Sequence, residues 1–97
     1  MNGIDFDIKH LEKAANRLKA IAHPVRIAII EMLEADGPMC VSDIFVKLNI
    51  EQASASHHLN ILKNRDILKS KRTGKHNIYS LNNEILGDLV NCLSRCH

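Results

Sequence analysis

The segment Gln52-Ala53-Ser54-Ala55-Ser56-His57-His58-Leu59-Asn60-Ile61-Leu62-Lys63-Asn64 constrains the fold more than any other part of the chain. Ala55, Leu59 and Leu62 recur at i, i+4 and i+7, the spacing of one helical face turned to a core. Ser54, Ser56, His57, Asn60 and Lys63 then face outward. That outer face is short and hydrogen-bonding at its N-terminal end and basic at its C-terminal end. Such a face offers donors and acceptors to base edges, and a helix N-terminus to phosphate. An ordinary amphipathic helix with a polar surface fits the same residues, so the neighbouring segments decide.

Upstream, Ser42 is suited to cap a helix and Asp43 adds favourable charge in its first turn. The pattern predicts a helix over 43–48, with Ile44, Phe45 and Leu48 inward. A turn of about four residues at Asn49-Ile50-Glu51-Gln52 joins the two helices, which is a helix-turn-helix. Downstream, Arg65-Asp66 closes the second helix, because Asp tolerates the left-handed conformation better than most residues. Residues 67–72 and 76–81 then read as two short strands around Thr73-Gly74-Lys75, a hairpin signal. The hairpin tip carries Arg72, Lys75 and His76, so the ribbon forms a basic wing beside the helix-turn-helix.

Charge is concentrated at the same place. Residues 63–76 hold six basic residues against the single acid Asp66, a local charge of +5. The remainder has seven basic and ten acidic residues, leaving −3. A basic patch on a near-neutral chain is the footprint of a nucleic-acid contact. A solvated charge run is the competing explanation, but it does not account for the placement.

Around this centre the chain reads as helices. Residues 7–21 place Leu11, Ala14, Ala15, Leu18, Ile21 and Ala22 on one side. Ile4, Phe6 and Ile8 precede the clear periodicity and are candidates for docking on a partner subunit. Pro24 opens a second helix at the position where its missing N–H costs nothing. That helix runs to about residue 35, where Gly37 and Pro38 end it. A last helix over 84–95, capped by Asn82 or Asn83, carries the broad apolar stripe Ile85, Leu86, Leu89, Val90 and Leu93. A stripe this apolar beyond a complete small module calls for a partner surface. With 97 residues the chain suggests one domain. Aromatics are 3% and there is no Trp, so the core is aliphatic, which suits packed helices. No segment is long and apolar enough for a membrane span. Three cysteines, an odd number, and no secretion signal point to reduced thiols in a cytoplasm.

In its order of elements the sequence resembles the ArsR/SmtB family of bacterial winged-helix repressors. Leu18-Lys19-Ala20-Ile21-Ala22-His23-Pro24-Val25-Arg26-Ile27 is similar to that family's L-K-A-L-A-x-P-x-R-L run. Residues 52–62 resemble its recognition-helix signature Q-S-x-x-S-x-H-L-x-x-L. Residues 71–81 resemble its wing, R-x-G-x-x-x-x-Y-x-L. The three lie in register across residues 18–81, which makes the match specific. Asp66 departs from the glycine often found there. The resemblance implies a mainly α fold with a β-hairpin wing, a winged helix-turn-helix in the order α-α-α-α-β-β-α. It further implies one domain over 1–97, dimerised through its first and last helices. Two recognition helices would then enter successive major grooves of a near-palindromic operator on double-stranded DNA, about 10 bp apart. Family members usually repress until an inducer releases them.

On this reading Ser54, Ser56 and His57 are assigned to base edges or the groove, and Gln52 to a phosphate or a base. Asn60 and Lys63 are assigned to the DNA backbone. Arg72, Lys75 and His76 are assigned to the flanking minor groove or phosphates. His58 matches the family motif, and both a DNA contact and a local hydrogen bond within the fold stay open. Arg26 is expected in a structural ion pair or a phosphate contact.

The signal that would release the protein is less defined. Met39-Cys40-Val41-Ser42-Asp43 resembles the family's metal-binding C-V-C-D-L segment, but Ser42 replaces its second cysteine, so Cys40 alone carries over as a ligand. Cys92 and Cys96 lie at i and i+4, and with His97 would complete a terminal site for a thiophilic metal ion. Thiol redox or persulfide sensing through Cys40, Cys92 and Cys96 is the alternative. So is a plain apolar continuation of the dimer stripe, because free cysteine behaves as a small hydrophobe. A winged helix that binds only protein is a further class, against which the basic wing argues. An enzyme is not indicated: there is no phosphate loop, nucleophile–base pair or complete metal motif.

Overall fold

Local chemistry sets the boundary of each element. In the computed structural model residues 7–94 are described. Helix α1 (Ile8–Ile21) opens with Asp7, whose carboxylate accepts from the His10 N–H. Helix α2 (Pro24–Asp36) has Pro24 at its first position, and its cap is the imidazole of His23. It ends at Gly37, whose φ of 81° is closed to most side-chain-bearing residues. A two-residue strand β1 (Met39–Cys40) leads directly into α3 (Val41–Leu48). Cys40, not Ser42, is the cap residue of α3, and Ser42 sits exposed in its first turn. The third helix therefore starts two residues earlier than its sequence suggests.

Asn49 closes α3 in the left-handed conformation, and the chain enters α4 (Gln52–Asn64) three residues later. Asp66 takes a φ of 61°, the left-handed turn expected of it. Strands β2 (Leu68–Thr73) and β3 (His76–Leu81) are joined by Gly74-Lys75. Gly74, with φ 62°, stands first in that two-residue turn, where a positive φ matches the twist of the strands. Asn82 caps α5 (Asn83–Ser94) by accepting from the Ile85 N–H at 3.4 Å.

The hairpin has a third strand. β1 pairs antiparallel with β3, placing Met39 opposite Tyr79 and Cys40 opposite Ile78, so the sheet order is β1-β3-β2. This anchors the base of the wing to the start of α3. Ile29, Ile44, Leu59, Leu62, Ile67 and Leu68 are fully enclosed and bind α2, α3, α4 and the sheet into one core. Each contributes about 1.5–3 kcal/mol by leaving water. The core thus clamps α4 along its inner side and leaves its outer side free. Among the described residues no helix is long and apolar enough to cross a membrane.

Candidate nucleic-acid interface

The outer side of α4 follows from its inner one. Ala55, Leu59 and Leu62 are completely buried, as their spacing predicts. At about 100° per residue, the opposite side falls on Ala53, His57, Asn60 and Asn64, all exposed, with Lys63 exposed at its edge, while Gln52, in line with Leu59, is exposed because it opens the helix. Ser56 is half-buried on one flank, and Ser54 comes round beside Ile61 on the other, also half-buried. Ala53 belongs to this surface although its lack of a polar group hid it in the sequence. Glu51, the residue before α4, makes no side-chain cap. The first-turn N–H groups of α4, where the positive end of the helix dipole lies, receive no side-chain acceptor from it.

His58 does not belong to that surface: of the two roles open to it, the structure shows the local hydrogen bond and not the DNA contact. It is 8% exposed and accepts at Nδ1 from Arg26 Nε at 3.2 Å. The same guanidinium donates to the Ala20 carbonyl at 2.7 Å, one of the last carbonyls of α1. Arg26 thus makes hydrogen bonds, not the expected ion pair. The ring of His23 lies 4.5 Å from that of His58 and is tilted by 44°, and the His57 ring meets it edge-on at 5.3 Å. His23 Nδ1 accepts from the Val25 N–H at 3.1 Å. Burial, with the positive or protonatable neighbours His23, Arg26 and His57, holds His58 below the usual histidine range.

The wing follows α4 directly in the chain. Arg72, Lys75 and His76 are exposed at its tip, with Arg72 opposite Asn77 and Thr73 opposite His76. The register separates these residues by face. Arg72 shares a face with Leu68, Ser70 and Tyr79, and lies beyond the point where that face is covered. His76 shares the other face with Lys69 and Lys71, which pair with Ser80 and Ile78 and are exposed. Both belong to the basic run of residues 63–76, and strand alternation with Thr73 puts them on one face. Among the described residues the one ion pair is Lys47–Asp36, at 3.0 Å. The positive charge of 63–76 is therefore not neutralised by acids within the described chain.

The comparisons with known proteins agree with this geometry. Residues 23–70 match the family of bacterial regulatory proteins called the arsR family. Over 76 residues the chain is 42% identical to the transcriptional repressor SdpR of Bacillus subtilis, covering 78% of this chain and 83% of the relative. The chain belongs to the ArsR family. Another relative is an uncharacterised HTH-type transcriptional regulator of Methanocaldococcus jannaschii, 38% identical over 79 residues, covering 81% of this chain and 89% of that protein. Among solved structures, the transcriptional repressor PagR of Bacillus anthracis superposes with a TM-score of 0.76 at 31% identity. It covers 90% of this chain and 99% of that one. This ArsR-family protein is a DNA-binding transcriptional regulator and not an enzyme. A winged helix confined to protein contacts is not favoured.

The two described cysteines of this ArsR-family chain lie on different elements. Cys40 is half-buried at the junction of β1 and α3, and Cys92 is half-buried on α5. No disulfide joins them. Among the described residues no three His, Cys, Asp or Glu side chains come together as a metal site. Cys40 and Cys92 thus do not by themselves supply the several soft ligands a thiophilic ion needs. Cys96 and His97 lie outside the described residues.

Proposed function

We propose that the protein is a repressor that binds a near-palindromic operator as a homodimer in the cytoplasm and leaves it when an inducer acts. The observation that carries this reading is the juxtaposition of the uncovered polar side of α4 with an un-neutralised basic wing. Gln52, Ser54, Ser56 and His57 address base edges at the N-terminal half of α4, and Ala53 offers a methyl to thymine. Asn60 and Lys63 take backbone positions. Arg72, Lys75 and His76, with Lys69 and Lys71 on the wing face of His76, contact phosphates or the flanking minor groove. SdpR and PagR are both named repressors, which supports the direction of regulation.

The dimer reading rests on a second surface. Ile8 and Leu18 on α1 are 60% and 37% exposed, and Val90 and Leu93 on α5 are 61% and 52% exposed. The two helices touch one another, so these apolar residues join the two ends of a single domain. Pairing of two copies through α1 and α5 covers them and sets two α4 helices about one helical turn of DNA apart. Ile4 and Phe6, also expected to dock there, lie outside the described residues. Cys40, Cys92, Cys96 and His97 remain the candidates for sensing a thiophilic metal or a thiol oxidant.

The test is selection of duplexes from a random library by the full chain, followed by footprinting and light scattering. We expect an inverted repeat with two protected patches about 10 bp apart and a dimer in solution. Selection of no sequence, or of an unpaired half-site by a monomer, contradicts the reading.

A further inference from the structure

Three helices meet at one guanidinium. Arg26 of α2 holds the last turn of α1 through the Ala20 carbonyl and the middle of α4 through His58 Nδ1. We propose that Arg26 and His58 are positioning residues for DNA reading: their hydrogen bond sets the pose of α4, and protonation of His58 releases it, weakening DNA binding in acid. The proposal rests on the reading of α4 as the DNA-contacting helix, and concerns two residues that do not themselves reach DNA.

The chemistry is that of an acceptor nitrogen. Nδ1 of His58 faces the N–H of Arg26, so it carries no proton, and the neutral ring keeps its proton on Nε2. An imidazolium has two donors and no acceptor. Adding a proton to Nδ1 therefore sets donor against donor and places a second positive charge about 3 Å from a guanidinium nitrogen.

Among the described residues nothing nearby compensates that charge. The titratable and charged groups facing His58 are Arg26 and His23 from the start of α2 and its cap, and His57 from α4 itself. α1 contributes only the neutral Ala20 carbonyl, and that is already engaged by Arg26. Arg26 has no acidic partner among the described residues. His23 is committed in turn, because its Nδ1 caps the Val25 N–H. The buried ring has little water to turn to, being 8% exposed. A shift of α4 relative to α2 that exposes the ring relieves all of these at once, and the same shift moves Gln52, His57 and Asn60.

Burial first, then His23, Arg26 and His57, lower the affinity of His58 for a proton in the folded chain. The latch is intact above the ordinary histidine value of 6.5 and is lost as pH falls through the lower folded value. His57 and His76 lie exposed at the DNA-facing surface and belong to both sides of any comparison. Wild type must therefore be compared with a variant that keeps both.

His58→Gln provides it, since its Oε1 accepts from Arg26 and does not titrate. The probe is a duplex selected by the wild-type chain at pH 7.5. Affinity is measured by anisotropy at pH 7.5 and 5.5, at constant ionic strength. Between these values wild type should lose about tenfold relative to His58→Gln. In parallel, an NMR titration of wild type without DNA should show the His58 ring titrating below 6.5, with the amides of residues 52–64 following the same transition. Equal pH profiles for the two proteins overturn the latch. So does a His58 ring that titrates at or above 6.5, or one that titrates while those amides stay still, and this arm holds even where the variant does not fold. Failure to select any duplex at pH 7.5 sinks the DNA-binding reading instead, a result distinct from equal pH profiles on a bound duplex.

Discussion

The two ends of this small domain are unfinished in opposite ways. The α4–wing end exposes Lys63, Lys69, Lys71, Arg72 and Lys75 with no acidic partner among the described residues. The α1–α5 end exposes the apolar side chains of Ile8, Leu18, Val90 and Leu93 to water. One end lacks counter-ions and the other lacks apolar cover. Each deficit specifies its own remedy, a polyanion at the first and a second apolar face at the second. The core residues of α4 and α2 lie between and serve both.

That contrast can be broken from the core outward. Leu59→Ala should remove about 2–5 kcal/mol of stability, because Leu59 is completely enclosed where α4 meets the core. Urea unfolding measures the loss, and both ends should fail together. A drop under about 1 kcal/mol would show that α4 is held by something else. The double change Leu18→Asp with Leu93→Asp should yield a folded monomer by light scattering. Its operator affinity should fall at least about 100-fold as bivalent binding is lost. A surviving dimer would remove the α1–α5 face from the interface.

At the other end, Arg72→Ala and Lys75→Ala should each lower the slope of log K against log salt by about one unit. Dimerisation and thermal stability should stay as in wild type. Loss of the dimer on changing the wing would mean that the two ends are not independent. The smallest effect is expected for Lys47→Ala. It breaks an ion pair whose side chains are 53% and 47% exposed, and such pairs contribute about 0–1 kcal/mol. Its DNA affinity should match wild type.

Much of this arrangement is legible in the sequence because local rules set it. The inward residues of α4, Pro24 at the head of α2, Gly37 after it and the left-handed Asp66 all obey spacing or backbone chemistry within a few residues. What escaped is non-local or angular. That the two residues of β1 pair with β3 is readable from neither segment alone. Ser42 is a good capping residue by type, but pairing of Cys40 with the sheet starts α3 earlier. His57 and His58 are identical in type and adjacent, yet one step around the helix puts one outside and the other against Arg26. The spacing within α4 turns His57 outward, but nothing local names the partner of His58, because Arg26 is 32 residues away. That Lys69 and Lys71 share a wing face with His76 of the neighbouring strand follows from the β2–β3 register.

The most direct test of the account is the salt dependence of binding to the selected duplex and to a scrambled duplex of equal length. The account predicts specific binding that weakens steeply with salt, with a log–log slope near the number of phosphates contacted. It also predicts scrambled-duplex binding weaker by about 10³-fold or more at physiological salt. A flat salt response, or equal affinity for both duplexes, would contradict the claim that α4 and the wing read DNA.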